Sequence, residues 1–326
     1  MLLFHNENIL KLNIHCCLLS YSAALRRKLI DKGGIIMLQY RPEGMHFSPP
    51  ETDTVIRALS SGEILQALCV KCDESHNLYV DLGEIKGVIP REETAAGKIK
   101  IHAIMKKVGK PICFQVIGID QAGNAILSRK AAQETACTYF HESLRPGDVI
   151  PIVIQNPTQF GVFCDIGCGV TALMRIGRCC VSRLENTAQL YEPGQTAYAA
   201  VLQTEMQTGR IELTGRELLG TWEENAALFR SGQTVTGTVR SILPYGVFIE
   251  LTPNLSGLAE PQPGLSVGDR VSIYIRSIQP EKHKIKLSIL EVLKNETQRE
   301  ALPYFITEGH LDRWEYYPGS RTVTYF

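Results

Sequence analysis

Ten residues, Gln159-Phe160-Gly161-Val162-Phe163-Cys164-Asp165-Ile166-Gly167-Cys168, are echoed at Pro244-Tyr245-Gly246-Val247-Phe248-Ile249-Glu250-Leu251-Thr252-Pro253, and more faintly at His76-Asn77-Leu78-Tyr79-Val80-Asp81-Leu82-Gly83. Counted from the first aromatic residue or its replacement, the copies begin at 76, 160 and 245, a period of about 85 residues. A regular period of that length confines the chain to an array of similar small units. Fold and function are therefore read unit by unit.

Each copy extends in both directions. A glycine-led strand precedes it, at Ser61-Gly62-Glu63-Ile64, Pro146-Gly147-Asp148-Val149 and Ser231-Gly232-Gln233-Thr234. A second glycine-led strand follows, at Val108-Gly109-Lys110, Pro193-Gly194-Gln195 and Val267-Gly268-Asp269. A closing strand ends each unit, at Ile126-Leu127-Ser128, Ile211-Glu212-Leu213-Thr214 and Ile285-Lys286-Leu287-Ser288. Alternation such as Val235-Thr236-Gly237-Thr238-Val239 gives strands one buried and one wet face. About five short strands in about 70 residues are best closed into a barrel, because closure removes exposed edges. The expected fold is all-β: three tandem five-stranded OB-fold barrels joined by short helical linkers.

The expected division is a leader with a short helix at 37–60, barrels at 61–130, 146–215 and 231–292, linkers at 131–145 and 216–230, and a tail at 293–326. In the second linker Leu218, Leu219, Trp222, Ala226 and Phe229 recur at helical spacing, and Trp222 is expected to pack against a barrel. The first linker holds Ala132, Ala136, Tyr139 and Phe140 before a break at Arg145-Pro146-Gly147. Ser48-Pro49-Pro50-Glu51 is expected to open the leader helix with a capping-box arrangement. In the tail, Pro318-Gly319-Ser320 between two aromatic runs reads as a hairpin folding back onto the last barrel.

A glycine-led strand, then aromatic-Gly-Val-Phe, then Gly-Leu, a Gly-Asp strand and a Leu-Ser close together resemble the S-one domain. That is the OB-fold repeat of the largest protein of the bacterial small ribosomal subunit. On the quoted residues, repeats two and three follow the pattern well and repeat one in part, over roughly 61–292. The resemblance implies binding of single-stranded RNA, messenger RNA in particular, during translation in the cytoplasm, with the small ribosomal subunit as partner. It implies neither a small-molecule substrate nor a membrane, and no cofactor. Two other readings stay open: a protein adaptor built of degenerate barrels, and a free RNA-binding regulator linked to a ribonuclease or to transcription.

The candidate contacts follow from the rings and their surroundings. Phe160 and Tyr245 are expected at the barrel surface, where bases stack on such rings at roughly 1–3 kcal/mol each. Phe163 and Phe248 could stack beside them or fill the core. Basic residues near the closing strand, Arg210 in repeat two and Lys282 and Lys284 in repeat three, would meet the RNA backbone. So would Arg175, at a position where the family often carries histidine, so repeat two holds the best set. Repeat one keeps Tyr79 but has His76 and Asn77 in place of ring and glycine. Its Lys98, Lys100, Lys106, Lys107 and Lys110 form a solvated loop, an RNA-backbone contact or a docking surface.

Charge and chemistry narrow the mechanism. Lys plus Arg equals Asp plus Glu, 34 each, so no global field draws a polyanion and stacking with local contacts must carry affinity. The ten cysteines form no second CxxC or His pair with Cys69-Val70-Lys71-Cys72, and Cys164, Cys168, Cys179 and Cys180 read as reduced thiols rather than a metal site. No phosphate loop, nucleophile elbow or paired metal carboxylates is visible, and no apolar run reaches membrane-spanning length. Residues 1–36 carry no repeat and no secretory pattern. Lys32-Gly33-Gly34-Ile35-Ile36-Met37 is encodable by a purine run before a start codon, so translation is expected to begin at Met37, with 1–36 an upstream extension.

Overall fold

In the first repeat, Leu78, Val80 and Leu82 are buried while Tyr79 and Asp81 stay at the surface, the period-two pattern of a strand with one face on a core. The same logic builds every strand of the computed structural model, which describes residues 39–45, 47–293 and 301–326. The expected upstream extension and the start at Met37 lie outside the described residues.

Barrel one contains β1 (Leu65–Cys72), β2 (Leu78–Leu82), β3 (Ile85–Ile89), β4 (Pro111–Ile119) and β5 (Ala125–Ser128). Barrel two contains β6 (Val149–Pro157), β7 (Gly161–Gly167), β8 (Val170–Arg175), β9 (Thr196–Glu205) and β10 (Arg210–Thr214). Barrel three contains β11 (Thr234–Leu243), β12 (Gly246–Thr252), β13 (Leu255–Ala259), β14 (Arg270–Gln279) and β15 (Lys284–Leu293). All three barrels close with one topology, first-second-third-fifth-fourth strand, in which only the third and fifth strands run parallel. The glycine before each fourth strand has positive φ and donates its N–H to the first strand: Gly109 to Cys69 O, Gly194 to Ile154 O and Gly268 to Val239 O, at 2.7, 2.7 and 2.8 Å.

The helices depart from expectation in two places. α1 (Thr52–Ser61) begins later than Ser48, and Glu51 at its N-cap makes no side-chain bond, so the expected capping box is absent. Pro49 and Pro50 favour extended backbone before them, which holds the helix start back. The helix then runs through Ser61 and ends on Gly62 at φ 66°, so Ser61-Gly62 closes a helix rather than opening a strand. The short α2 (Ile101–Met105) lies inside the lysine stretch, and α3 (Arg129–Ser143) is capped by Ser128, whose Oγ accepts the Ala131 N–H. The second linker is not one helix. A 3-10 turn at Arg216–Leu219 stops at Gly220, φ 81°, and α4 (Trp222–Ala226) restarts with a Thr221/Glu224 capping box. Gly220 turns out of the helical region, and the Phe305 ring packs in the space a side chain there would need: a Cβ on Gly220 would stand 2.6 Å from it.

Tail and linker bind barrel two to barrel three. Val149 and Leu311 bond to Gly309 O and Gly147 O, and Phe305 N–H bonds to Leu218 O. The hairpin of β16 (Arg313–Glu315) and β17 (Val323–Tyr325) places Trp314 in the core cluster of barrel three, which also holds Trp222. The tail thus folds back as expected, but spans two barrels.

Candidate nucleic-acid interface

The register of the second and third strands superimposes the three copies. Val162 faces Met174, Val247 faces Ala259 and Leu78 faces Ile89, so Phe163, Phe248 and Tyr79 are equivalent, as are Phe160, Tyr245 and His76. Phe160 precedes β7 and escapes its alternation. It lies across Phe163, ring centroids 5.8 Å apart and planes at 81°, and Tyr245 meets Phe248 likewise at 6.5 Å and 89°. Phe160 and Tyr245 are 57% and 66% exposed, while Phe163 and Phe248 are half-buried on the outer face. The core is filled instead by their inward neighbours, including Val162, Cys164, Val247 and Ile249, which decides between the two readings of the second ring.

The glycine of the signature serves close approach. A Cβ on Gly161 would meet Met174 O at 2.6 Å and Leu173 Cδ1 at 3.1 Å, and one on Gly246 would meet Leu258 Cδ1 at 2.6 Å and Ala259 O at 2.8 Å. The leucine of the third strand therefore lies over the glycine and completes an apolar platform of two rings and one leucine.

Charges around the platforms differ from expectation. In barrel two, Arg175 is held by Glu212, Nη2 to Oε1 at 2.8 Å and Nε to Oε2 at 3.4 Å. That bond raises the Arg175 pKa and lowers that of Glu212, so the expected phosphate contact arrives already paired. Arg210 is exposed at the start of β10. In barrel three the position of Glu212 is taken by Lys286, since β10 and β15 stand in the same parallel register against Leu173 and Leu258. Lys284 and Lys286 are exposed on one face and make no ion pair among the described residues; Lys282 is exposed in the turn before them. Glu260 pairs with Arg276, Nη1 to Oε1 at 3.0 Å. Barrel three, not barrel two, thus has the more cationic platform. Sequence reasoning missed Lys286, though Lys284-Ile285-Lys286-Leu287 alternates and places both lysines outward.

Barrel one has no exposed ring at this place. His76 turns through φ 64°, and Asp73 accepts the Asn77 N–H and Nδ2, at 2.8 and 3.0 Å, and the Tyr79 hydroxyl at 3.2 Å. Lys71 Nζ lies over the Tyr79 ring, 5.7 Å from its centroid. The equivalents of Leu173 and Glu212 are Val88 and Ile126, and Ile117 and Ile119 on β4 are each 50% exposed. Of the five lysines, Lys107 is paired with Glu43 at 3.0 Å, and Lys100 precedes α2, its carbonyl accepting the Ala103 and Ile104 N–H groups. Lys98, Lys106, Lys107 and Lys110 line a cleft of about 1310 Å³ that also borders α3 and barrel two.

The family model of the S1 RNA binding domain matches residues 59–130. The match falls on barrel one, the copy whose ring motif is weakest. The chain is 30% identical over 240 residues to small ribosomal subunit protein bS1 of Leuconostoc lactis, covering 68% of this chain and 55% of that protein. It is 28% identical over 261 residues to a bS1 homolog of Bacillus cereus, covering 74% and 66% respectively. The chain therefore spans between about half and two thirds of these relatives' lengths. A solved multidomain protein with nucleic acid binding domains from Streptococcus pneumoniae matches 73% of this chain and 78% of its own at 15% identity, with a TM-score of 0.25.

Proposed function

The chain belongs to the S1 RNA binding domain family as a tandem array of its repeats, and from that premise we propose that it binds single-stranded RNA, messenger RNA in particular, at the small ribosomal subunit without catalysing a reaction. The observation that carries this reading is the pair of ring platforms, Phe160/Phe163 and Tyr245/Phe248, each with one ring more than half exposed. A base stacked on an exposed ring gains roughly 1–3 kcal/mol whatever its identity, so recognition is sequence-tolerant, as messenger capture requires. Arg210, Lys284 and Lys286 supply local phosphate contacts in place of a global field.

The test is a titration of the full chain against a labelled unstructured pyrimidine-rich RNA, beside Phe160→Ala/Tyr245→Ala. Loss of binding in the variant supports the stacking mechanism. Full retention of binding would remove it. Cosedimentation with small ribosomal subunits tests the location separately.

A second role is favoured for barrel one alone. Val88 and Ile126 stand where barrel two has Leu173 and Glu212, the neighbouring β4 exposes Ile117 and Ile119, and Tyr79 is already hydrogen-bonded, so this barrel suits a protein surface better than a base. Ribosome cosedimentation that survives the double ring variant but is lost on Ile117→Asp/Ile119→Asp would assign docking to this barrel.

A further inference from the structure

The platforms of barrels two and three are not separate sites on a flexible chain. In barrel two, Gly161 faces Arg175, so Phe160 lies at the end of the barrel from which the chain leaves β8. It leaves into a loop, 176–187, whose two limbs are both anchored at the turn that carries Phe160. Ile176 N–H bonds to Phe160 O at 2.9 Å, and Thr187 Oγ bonds to Thr158 O at 2.9 Å. The tip of the same loop rests on barrel three: Ser182 N–H donates to Pro253 O at 3.0 Å, Val181 N–H to Asn254 Oδ1 at 2.9 Å, and the Ser182 and Ser256 hydroxyls lie 3.1 Å apart.

Ser256 marks which end of barrel three is reached. On β13, Leu255 and Ala259 are buried in the core, so Ser256 and Leu258 share the outer face. Parallel pairing puts Leu258 beside Lys286, hence Ser256 beside Lys284. Val247 pairs with Ala259, so Tyr245 stands beyond the opposite end of β13. The order along the surface is therefore Phe163, Phe160, the loop tip, Ser256 with Lys284, then Lys286 with Phe248, and last Tyr245. Arg183, next to Ser182 at the joint, is exposed, and its side chain makes no hydrogen bond or ion pair among the described residues. Arg178, the loop's other arginine, turns away to Thr324 Oγ, and the loop's carboxylate, Glu185, follows Arg183 by two residues.

We infer that one RNA strand runs continuously over both platforms and that Arg183 holds a phosphate at the joint between them. This rests on the RNA-binding reading and adds the path and a contact residue to it. The tie through Asn254, whose Nδ2 also bonds Arg216 O and Gly220 O, fixes the two platforms in one relation. A strand bound to one platform therefore meets the other at high effective concentration.

The experiment compares oligouridylates of about four nucleotides, the smallest site of one OB-fold, and about thirty, beyond the largest, on the full chain by anisotropy. Parent, Arg183→Ala and Arg183→Lys are measured at several salt concentrations. The long RNA should bind the parent one-to-one and about a hundredfold tighter than the short one. Arg183→Ala should weaken the long RNA several-fold and reduce its log–log salt slope by roughly 0.7, one phosphate contact on a single strand. The short RNA should be unaffected, and Arg183→Lys should restore most of the loss. Long RNA that binds no tighter than short, or an unchanged affinity and slope in Arg183→Ala, overturns the continuous path while leaving stacking in place. Failure of both lengths to bind the parent would remove the RNA-binding reading, and the path with it.

Discussion

Glu43 joins the leader to both of the first two barrels, and its replacement by glutamine is a sharp test of the energetics. Its carboxylate receives Arg129 in a two-bond fork, Nε to Oε1 at 2.8 Å and Nη2 to Oε2 at 3.0 Å, with Lys107 Nζ at 3.0 Å and Cys113 N–H at 3.1 Å. Its own N–H donates to Asp165 Oδ2 in barrel two at 3.0 Å. Gly169, at φ 74°, leaves the room the guanidinium occupies: a Cβ there would stand 1.8 Å from Arg129 Nη2. Burial raises the Glu43 pKa, but Arg129 and Lys107 outweigh it and hold the group at about 2, against an ordinary 4.5. At about 1.36 kcal/mol per pH unit, that difference is worth roughly 3 kcal/mol, within the 3–5 kcal/mol typical of breaking a buried ion pair. Because the folded pKa is depressed, the contribution is present above about pH 4.5 and is lost as pH falls toward 2. Asp165 acts in the opposite sense. Burial, then the Glu43 charge, raises it to about 7, so its ionisation lowers stability as pH rises from its ordinary 3.8 through 7. Glu43→Gln should therefore cost about 3 kcal/mol at neutral pH and flatten the acid limb of the stability curve. Both tryptophans lie in or against barrel three, so their fluorescence would not see the change. Hydrogen exchange of β4 amides under urea reads it directly. Arg129→Met should cost a similar amount, and the double variant should recover part of it, because the guanidinium and the Glu43 carboxylate are removed together while Lys107, 21% exposed, can turn to solvent. A single-variant cost below about 1 kcal/mol with an unchanged acid limb would refute the reasoning.

Four further outcomes are expected. Glu212→Ala should release Arg175 and strengthen RNA binding several-fold at low salt, read by anisotropy; weaker binding would oppose the pairing described. Lys284→Ala/Lys286→Ala should reduce the log–log salt slope by roughly 1.4, whereas Arg175→Ala should change it little. Gly161→Ala should weaken barrel two by about 2 kcal/mol or more in urea and remove its platform, since the added carbon meets a backbone oxygen at 2.6 Å. Trp314→Ala should cost roughly 3–5 kcal/mol in barrel three by calorimetry, as expected for a buried aromatic.

The strand pattern was legible because each barrel strand alternates faces over its own few residues and each barrel repeats the same glycines. The exposed rings were legible too, because Phe160 and Tyr245 recur before a Gly-Val-Phe that must begin a strand. Lys286 was within reach of the same alternation. Glu212 was not: its partnership with Arg175 depends on β8 and β10 lying parallel, at a sequence separation of 37. The capping box at Ser48 gave way to consecutive prolines, and the single linker helix to Gly220, whose positive φ ends one turn before Thr221 caps the next.

By itself the sequence determined that the chain is an array of small β-barrels with a ring-bearing face in the second and third, because strand period and repeat spacing are properties of neighbouring residues. Only the tertiary structure decided which charges on those faces are already spent on each other, that Glu43 and Asn254 lock successive barrels together, and that a loop of barrel two meets the platform of barrel three. Those outcomes depend on contacts between residues far apart in the chain, whose distances no local pattern encodes.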